Sequence, residues 1–223
     1  MRLKTYAWPA LALALTGGVV GFGVSAVDLD EATIAQRVKE IGPNEEVRVD
    51  GVTFKSPTSG RWVLIASHLD TRVALLSKDS YKRDALGLIS GTQVQVSVLH
   101  SNLIFENKTE FLNAMSKVND PENSLFVRDQ GINIISHSTQ LAPTFGDFCV
   151  LFNEYLSEVY VDNETKIKGF IKILAVSCVL PSDRKRRFEV MISDSFRERP
   201  VKYSDEIHMG ILQDIFKSLS FDK

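Results

Sequence analysis

Two kinds of side chain in this sequence could carry chemistry through their spacing. His68 and Asp70 stand two apart in Ser67-His68-Leu69-Asp70-Thr71, just after the apolar run Trp62 to Ala66. An imidazole and a carboxylate at a strand end can ligate a divalent metal, but such a site needs further His and carboxylate ligands and an acidic base. Glu45-Glu46 lies upstream and no such pair follows in a suitable place. The segment therefore reads as a polar hairpin tip with Asp70 bonded to the turn backbone. The metal assignment is none, with His68 and Asp70 as the only candidates.

The remaining histidines, His100, His137 and His208, share no ligand spacing and read as strand-end or helix-surface residues. Ser136-His137-Ser138 lacks the Gly-x-Ser-x-Gly turn that exposes an esterase nucleophile. No catalytic residue and no cofactor is assigned. Arg184-Lys185-Arg186-Arg187 is the densest charge run. It is either a solvated turn flanked by Asp183 and Glu189 or a contact for anionic headgroups or an acidic partner, at about 1 kcal/mol per basic charge near a membrane. Asn107-Lys108-Thr109 and Asn163-Glu164-Thr165 match the glycosylation triplet, which matters only in a eukaryotic secretory route.

The two cysteines can be placed by arithmetic. Cys149 lies in the apolar run Phe148 to Phe152, and Cys178 in Ile173 to Val179. Asp162-Asn163-Glu164-Thr165 between them is a turn sequence. If the flanking strands pair about that turn, opposed residues sum to 327, and 149 plus 178 is 327. A disulfide is the expectation. Two buried thiols are the alternative, since one bulge in so long a hairpin would break the register.

The address is written at the start of the chain. Arg2 and Lys4 precede an uncharged stretch from Tyr6 to Val27, which ends in Val24-Ser25-Ala26. A basic start, an apolar centre and small residues at the cut site make a secretory signal over residues 1–26. An uncleaved N-terminal membrane anchor is the alternative. Pro9 and the glycines at 17, 18, 21 and 23 weigh against it. The chain carries 26 basic and 28 acidic residues, 24 against 28 without Arg2 and Lys4, so no basic bias points to nucleic acid. Residues 27–223 suit one domain with a sizeable core.

Elements follow from periodicity. Ile34, Val38 and Ile41 fit one face of a helix capped at Asp28 or Asp30 and ended by Gly42-Pro43. Asp50-Gly51 predicts a tight hairpin between Val47–Val49 and Val52–Phe54. Arg61 to Ser67 and Arg72 to Ser77 read as a second hairpin. Val94, Val96 and Val98 alternate with Gln93, Gln95 and Ser97, the pattern of a strand with one buried face. Asn107 caps a helix whose stripe is Phe111, Leu112, Met115 and Val118. Ile132 to Ser136 is a short strand or a loop on the core. Phe188, Val190 and Ile192 mark another strand. Ser204 caps the last helix, with Ile207, Ile211, Leu212, Ile215, Phe216 and Leu219 as its buried face and Phe216 among its deepest positions. Strands joined in adjacent pairs predict an α+β fold: a mainly antiparallel sheet covered by helices.

The C-terminal third resembles exported bacterial proteins of unassigned function that have the PsbP/Mog1-like sandwich fold. The resembling residues are Cys149, Gly169, Cys178, Pro181, Ser195-Phe196-Arg197, Phe216 and Ser218-Leu219-Ser220-Phe221. The chain departs from that group in lacking a lipid-attachment cysteine and in carrying Val179-Leu180. The resemblance implies a sheet with helices on both faces and transfers no catalytic or ligand residue. The expected role is a non-catalytic, extracytoplasmic protein of the bacterial periplasm or envelope, working by contact with another envelope protein in a secretion-type assembly, with peripheral membrane contact through the basic run. A small exported hydrolase or ligand-binding domain is the alternative.

Overall fold

The computed structural model describes residues 38–66, 71–80, 82–83, 89–101, 103–120, 133–162, 165–196 and 205–221. The N-terminal signal, the His68–Asp70 tip and the Pro121 to Asp129 loop lie outside them. The strands are β1 (Val38–Ile41), β2 (Glu46–Val49), β3 (Val52–Lys55), β4 (Trp62–Ala66), β5 (Arg72–Ser77), β6 (Lys82–Arg83), β7 (Ile89–His100), β8 (Asn133–Leu141), β9 (Cys149–Asp162), β10 (Thr165–Leu180), β11 (Asp183–Phe196) and β12 (Ser220–Phe221). Two helices, α1 (Lys108–Val118) and α2 (Asp205–Lys217), complete the described residues.

The main sheet runs in the order β1-β4-β5-β7-β11-β10-β9-β8, with β6 paired to β7, and these pairings are antiparallel. A second sheet holds β12-β3-β2. Its hairpin turns where the sequence predicts, with Asp50 at φ 42° and Gly51 at φ 73°. Two successive positive φ angles are what a tight hairpin needs to match strand twist, and Asp-Gly supplies them cheaply.

The two helices sit on opposite faces. Alternation along the strands turns Val94, Val96, Val98, Leu174, Val176, Val190 and Ile192 to one face, where Leu212 and Ile215 of α2 meet them. It turns Val150, Phe152, Ala175 and Met191 to the other, beneath Phe111 and Met115 of α1. Each such side chain, fully buried, contributes roughly 1.5–3 kcal/mol. Asn107 caps α1 by accepting from the Glu110 amide at 2.9 Å, and the Glu110 carboxylate reaches back to the Glu106 amide at 2.8 Å. This is a capping box displaced by one residue.

Four expectations are corrected. Val38–Ile41 is a strand, because pairing with β4 satisfies its backbone, and Ile41 is buried. The helical cover is partial: Val47, Val49, Val52 and Phe54 of the small sheet share the α2 face, so the sandwich is richer in sheet than expected. On α2 the inward line is His208, Leu212 and Ile215, spaced four and three apart. Ile207 falls off that line and is 70% exposed, while Phe216 lies at its margin, half-buried against Phe145 and Phe188. Finally, β7 is buried on both faces, since Gln93, Gln95 and Ser97 are as enclosed as the valines between them.

Candidate functional site

The sheet has two unlike edges. β1 is four residues long and carries Lys39 and Glu40, which pair with Glu45 and Lys78. Short, charged edges resist pairing with another chain. β8 is nine residues long, Asn-Ile-Ile-Ser-His-Ser-Thr-Gln-Leu, with no charged residue and no proline. Seven of its nine residues are exposed, Ile135 and Leu141 at 39% each. Among the described residues its only strand neighbour is β9. The Ala142 amide donates to the Cys149 carbonyl at 2.9 Å. Antiparallel alternation then directs the backbone groups of Ser136, Ser138 and Gln140 to β9, and those of His137, Thr139 and Leu141 outward.

The strand behind this edge is held at its start by the Cys149–Cys178 disulfide. The β9–β10 register keeps the sum of 327 from Asp162↔Thr165 to Cys149↔Cys178. The Val179 amide donates to the Phe148 carbonyl at 3.0 Å, so the cystine occupies a non-hydrogen-bonded pair, with its Cα atoms 4.1 Å apart. Glu154 of β9 stands opposite His137 of β8. Burial, reinforced by the charge of Asp120, pushes its carboxyl up to about 7.

A second polar arrangement crosses the centre of the α1 face. Ser177, Glu189, Ser97 and Arg72 form one row across four strands, in register. Arg187 lies two residues from Glu189 on the same strand, and its guanidinium touches the Met115 sulfur. Burial pushes Glu189 up, against the pull of Arg187, Arg72 and the Ser177 hydroxyl. Burial likewise lowers Arg72 and Arg187, with Glu189 opposing. The row is an ion cluster built into the sheet. Its sequence signal was the Gln-x-Gln-x-Ser alternation of β7, which reads equally well as a solvent face.

The basic run is divided by the fold. Its four residues are successive positions of β11, so strand alternation denies them one face, and the β10–β11 register also shifts at Val179/Leu180. Arg184 lies over the Phe148 ring at 5.0 Å, and Lys185 is exposed. Arg186 bonds the Asp50 carboxylate at 3.0 Å, and Arg187 points into the Glu189 cluster. Burial works to raise Asp50, but the His100 ring, bonded at 2.8 Å, and Arg186 outweigh it and hold the carboxyl below its ordinary value. This contact ties the small-sheet turn to the main sheet.

His100 ends a strand, and His137 sits exposed in mid-strand. His208 is not a surface residue: it is 3% exposed beneath α2, its Nε2 2.7 Å from the Asp194 carboxylate. A His–Asp pair so enclosed does not face solvent. Among the described residues, no group of three or more His, Cys, Asp or Glu is placed to hold a metal ion. No described helix is long and apolar enough to cross a membrane.

No family model matches the sequence, and no curated protein does. Solved structures show similarity at low identity. The Ran-binding protein Mog1p of Saccharomyces cerevisiae aligns at 12% identity and a TM-score of 0.45, over 80% of this chain and 95% of its own. A point mutant of Mog1 aligns at 11% and 0.44, over 82% and 98%. The type VI secretion immunity protein TplEi of Pseudomonas aeruginosa aligns at 10% and 0.30, over 84% of this chain and 55% of its own.

Proposed function

We propose that this protein is a non-catalytic component of the bacterial envelope, outside the cytoplasm, that works by protein–protein contact through the β8 edge. The observation that carries this reading is the β8 edge: nine uncharged residues, alternate ones with outward-facing backbone groups, with β9 as the only strand neighbour among the described residues, in a sheet whose other described edge carries Lys39 and Glu40. An extended segment that adds to such an edge gains main-chain hydrogen bonds, while side-chain pockets set its specificity. The extracytoplasmic address is supported by the layout of residues 1–26 and by the Cys149–Cys178 bond, a linkage that persists in oxidising compartments. Assignment to the PsbP/Mog1-like sandwiches rests on the C-terminal residues and on the helix–sheet–helix layering.

The test is affinity isolation from native envelope with the parent and with His137→Pro. A proline there removes an outward amide and leaves the β9 ladder intact. A defined co-purifying chain should be held by the parent and lost by the variant, whose melting temperature stays within a few degrees. The exported protein should have lost residues 1–26 by intact mass. Equal capture by parent and variant would refute the edge as the contact.

A further inference from the structure

We infer that β8 pairs with β8 of a second copy of this chain, antiparallel about a two-fold axis at Ser138, joining two main sheets into one. This rests on the reading of β8 as the contact edge and names its occupant. Two identical edges can meet only if they do not repel, and β8 carries no Asp, Glu, Lys or Arg over its nine residues. The β1 edge brings Lys39 and Glu40 to any such meeting.

The register is self-complementary. Centred on Ser138, opposed residues sum to 276. Gln140 then faces Ser136 of the second copy, Thr139 faces His137, and Ser138 faces itself, while Ile135, the extra residue of the bulge, stands outside the paired segment. The amide faces a hydroxyl. Thr139 and His137 both direct their backbone groups outward, so they become a hydrogen-bonded pair, while Ser138, whose backbone serves β9, becomes a non-hydrogen-bonded pair. Opposed residues in an antiparallel pair share a face. The β9 register puts Thr139, His137 and Leu141 on the α1 face and Gln140, Ser138 and Ser136 on the other, as this pairing requires. The bulge between Ile134 and Ser136 marks where the paired segment ends.

The axis makes a sharp test. At a non-hydrogen-bonded pair Cα atoms approach to about 4.5 Å, the kind of position the native cystine occupies. Ser138→Cys should therefore cross-link to itself in native protein under air oxidation, giving a reducible dimer on a gel. Gln140→Cys alone should not, because the two copies of position 140 lie four residues apart along the joined strands. A mixture of Gln140→Cys and Ser136→Cys should cross-link. The parent should sediment as a dimer at micromolar concentration, and His137→Pro should weaken that dimer at least tenfold. A monomeric parent whose Ser138→Cys variant keeps a free thiol overturns the homodimer, as does equal cross-linking of Ser138→Cys and Gln140→Cys. A monomer that still captures another chain through β8 overturns only the self-pairing and leaves the edge as the contact. A dimer unaffected by His137→Pro overturns β8 as the dimer contact.

Discussion

Glu154→Gln should stabilise this protein in alkaline solution and do little in acid. Glu154 sits on the α1 face of β9, beside Ile173 of β10 and opposite His137 of β8. Burial first, and Asp120 second, raise its carboxyl from the ordinary 4.5 to about 7. Between those values the folded chain holds a proton that the unfolded chain has released, so stability falls as pH rises through this window. At about 1.4 kcal/mol per pH unit the gap bounds the cost at about 3 kcal/mol. Its side chain is only partly enclosed, and solvent screening reduces this to about 1–2 kcal/mol. Glutamine keeps the shape and removes the charge. Urea unfolding of parent and variant at pH 4 and pH 8 should show the variant gaining about 1–2 kcal/mol between the two, about 2–8 °C in melting temperature. Any packing difference is common to both pH values and subtracts out. Asp120→Asn should move the same way by less, because burial is the larger cause. A gap between parent and variant that is constant with pH, or that shrinks as pH rises, would refute the reasoning.

Loss of the cross-link, by Cys149→Ser with Cys178→Ser, removes the closure of a 29-residue separation and should cost roughly 3–4 kcal/mol in the chain-entropy model. Thiol titration of the denatured, unreduced parent should find none free. On α2, Leu212→Ala and Ile215→Ala should each cost about 2–5 kcal/mol, since both side chains are fully buried. Phe216→Ala, half-buried, should cost less than either, and Lys217→Ala almost nothing. Thermal melts that rank Phe216→Ala first would place the helix in a different rotation.

Local patterns carried much of the secondary structure because local physics decides it. Asp50-Gly51 can tolerate positive φ angles, so the turn and both its strands were legible. Asn107 accepts from the Glu110 amide in the first turn of α1, and Glu110 from the Glu106 amide just before it, so its start was legible too. The cystine position followed from alternation alone, because the β9–β10 hairpin keeps one register over its full length. The strand at Val38–Ile41 was misread because three apolar residues fit a helix as well as a strand. Only β4, a distant segment, supplies the pairing that decides between them. His208, Gln95 and Glu189 look like surface residues in sequence. They are enclosed because α2 and the neighbouring strands arrive from elsewhere in the chain. The basic run reads as one patch in sequence, but strand alternation sends Arg186 to Asp50 and Arg187 to the Glu189 cluster on the opposite face. That β8 ends the strand order among the described residues belongs to tertiary structure. The uncharged run Asn133–Leu141 was visible as letters, but an edge is a position in a strand order, and that order is fixed by pairings across the whole chain. The sequence by itself determined most of the segments that extend, the Asp50-Gly51 turn and which cysteines can meet. Tertiary packing alone decided which polar groups are shut inside and which strands stand at the edges among the described residues, because both depend on contacts between residues far apart in the chain.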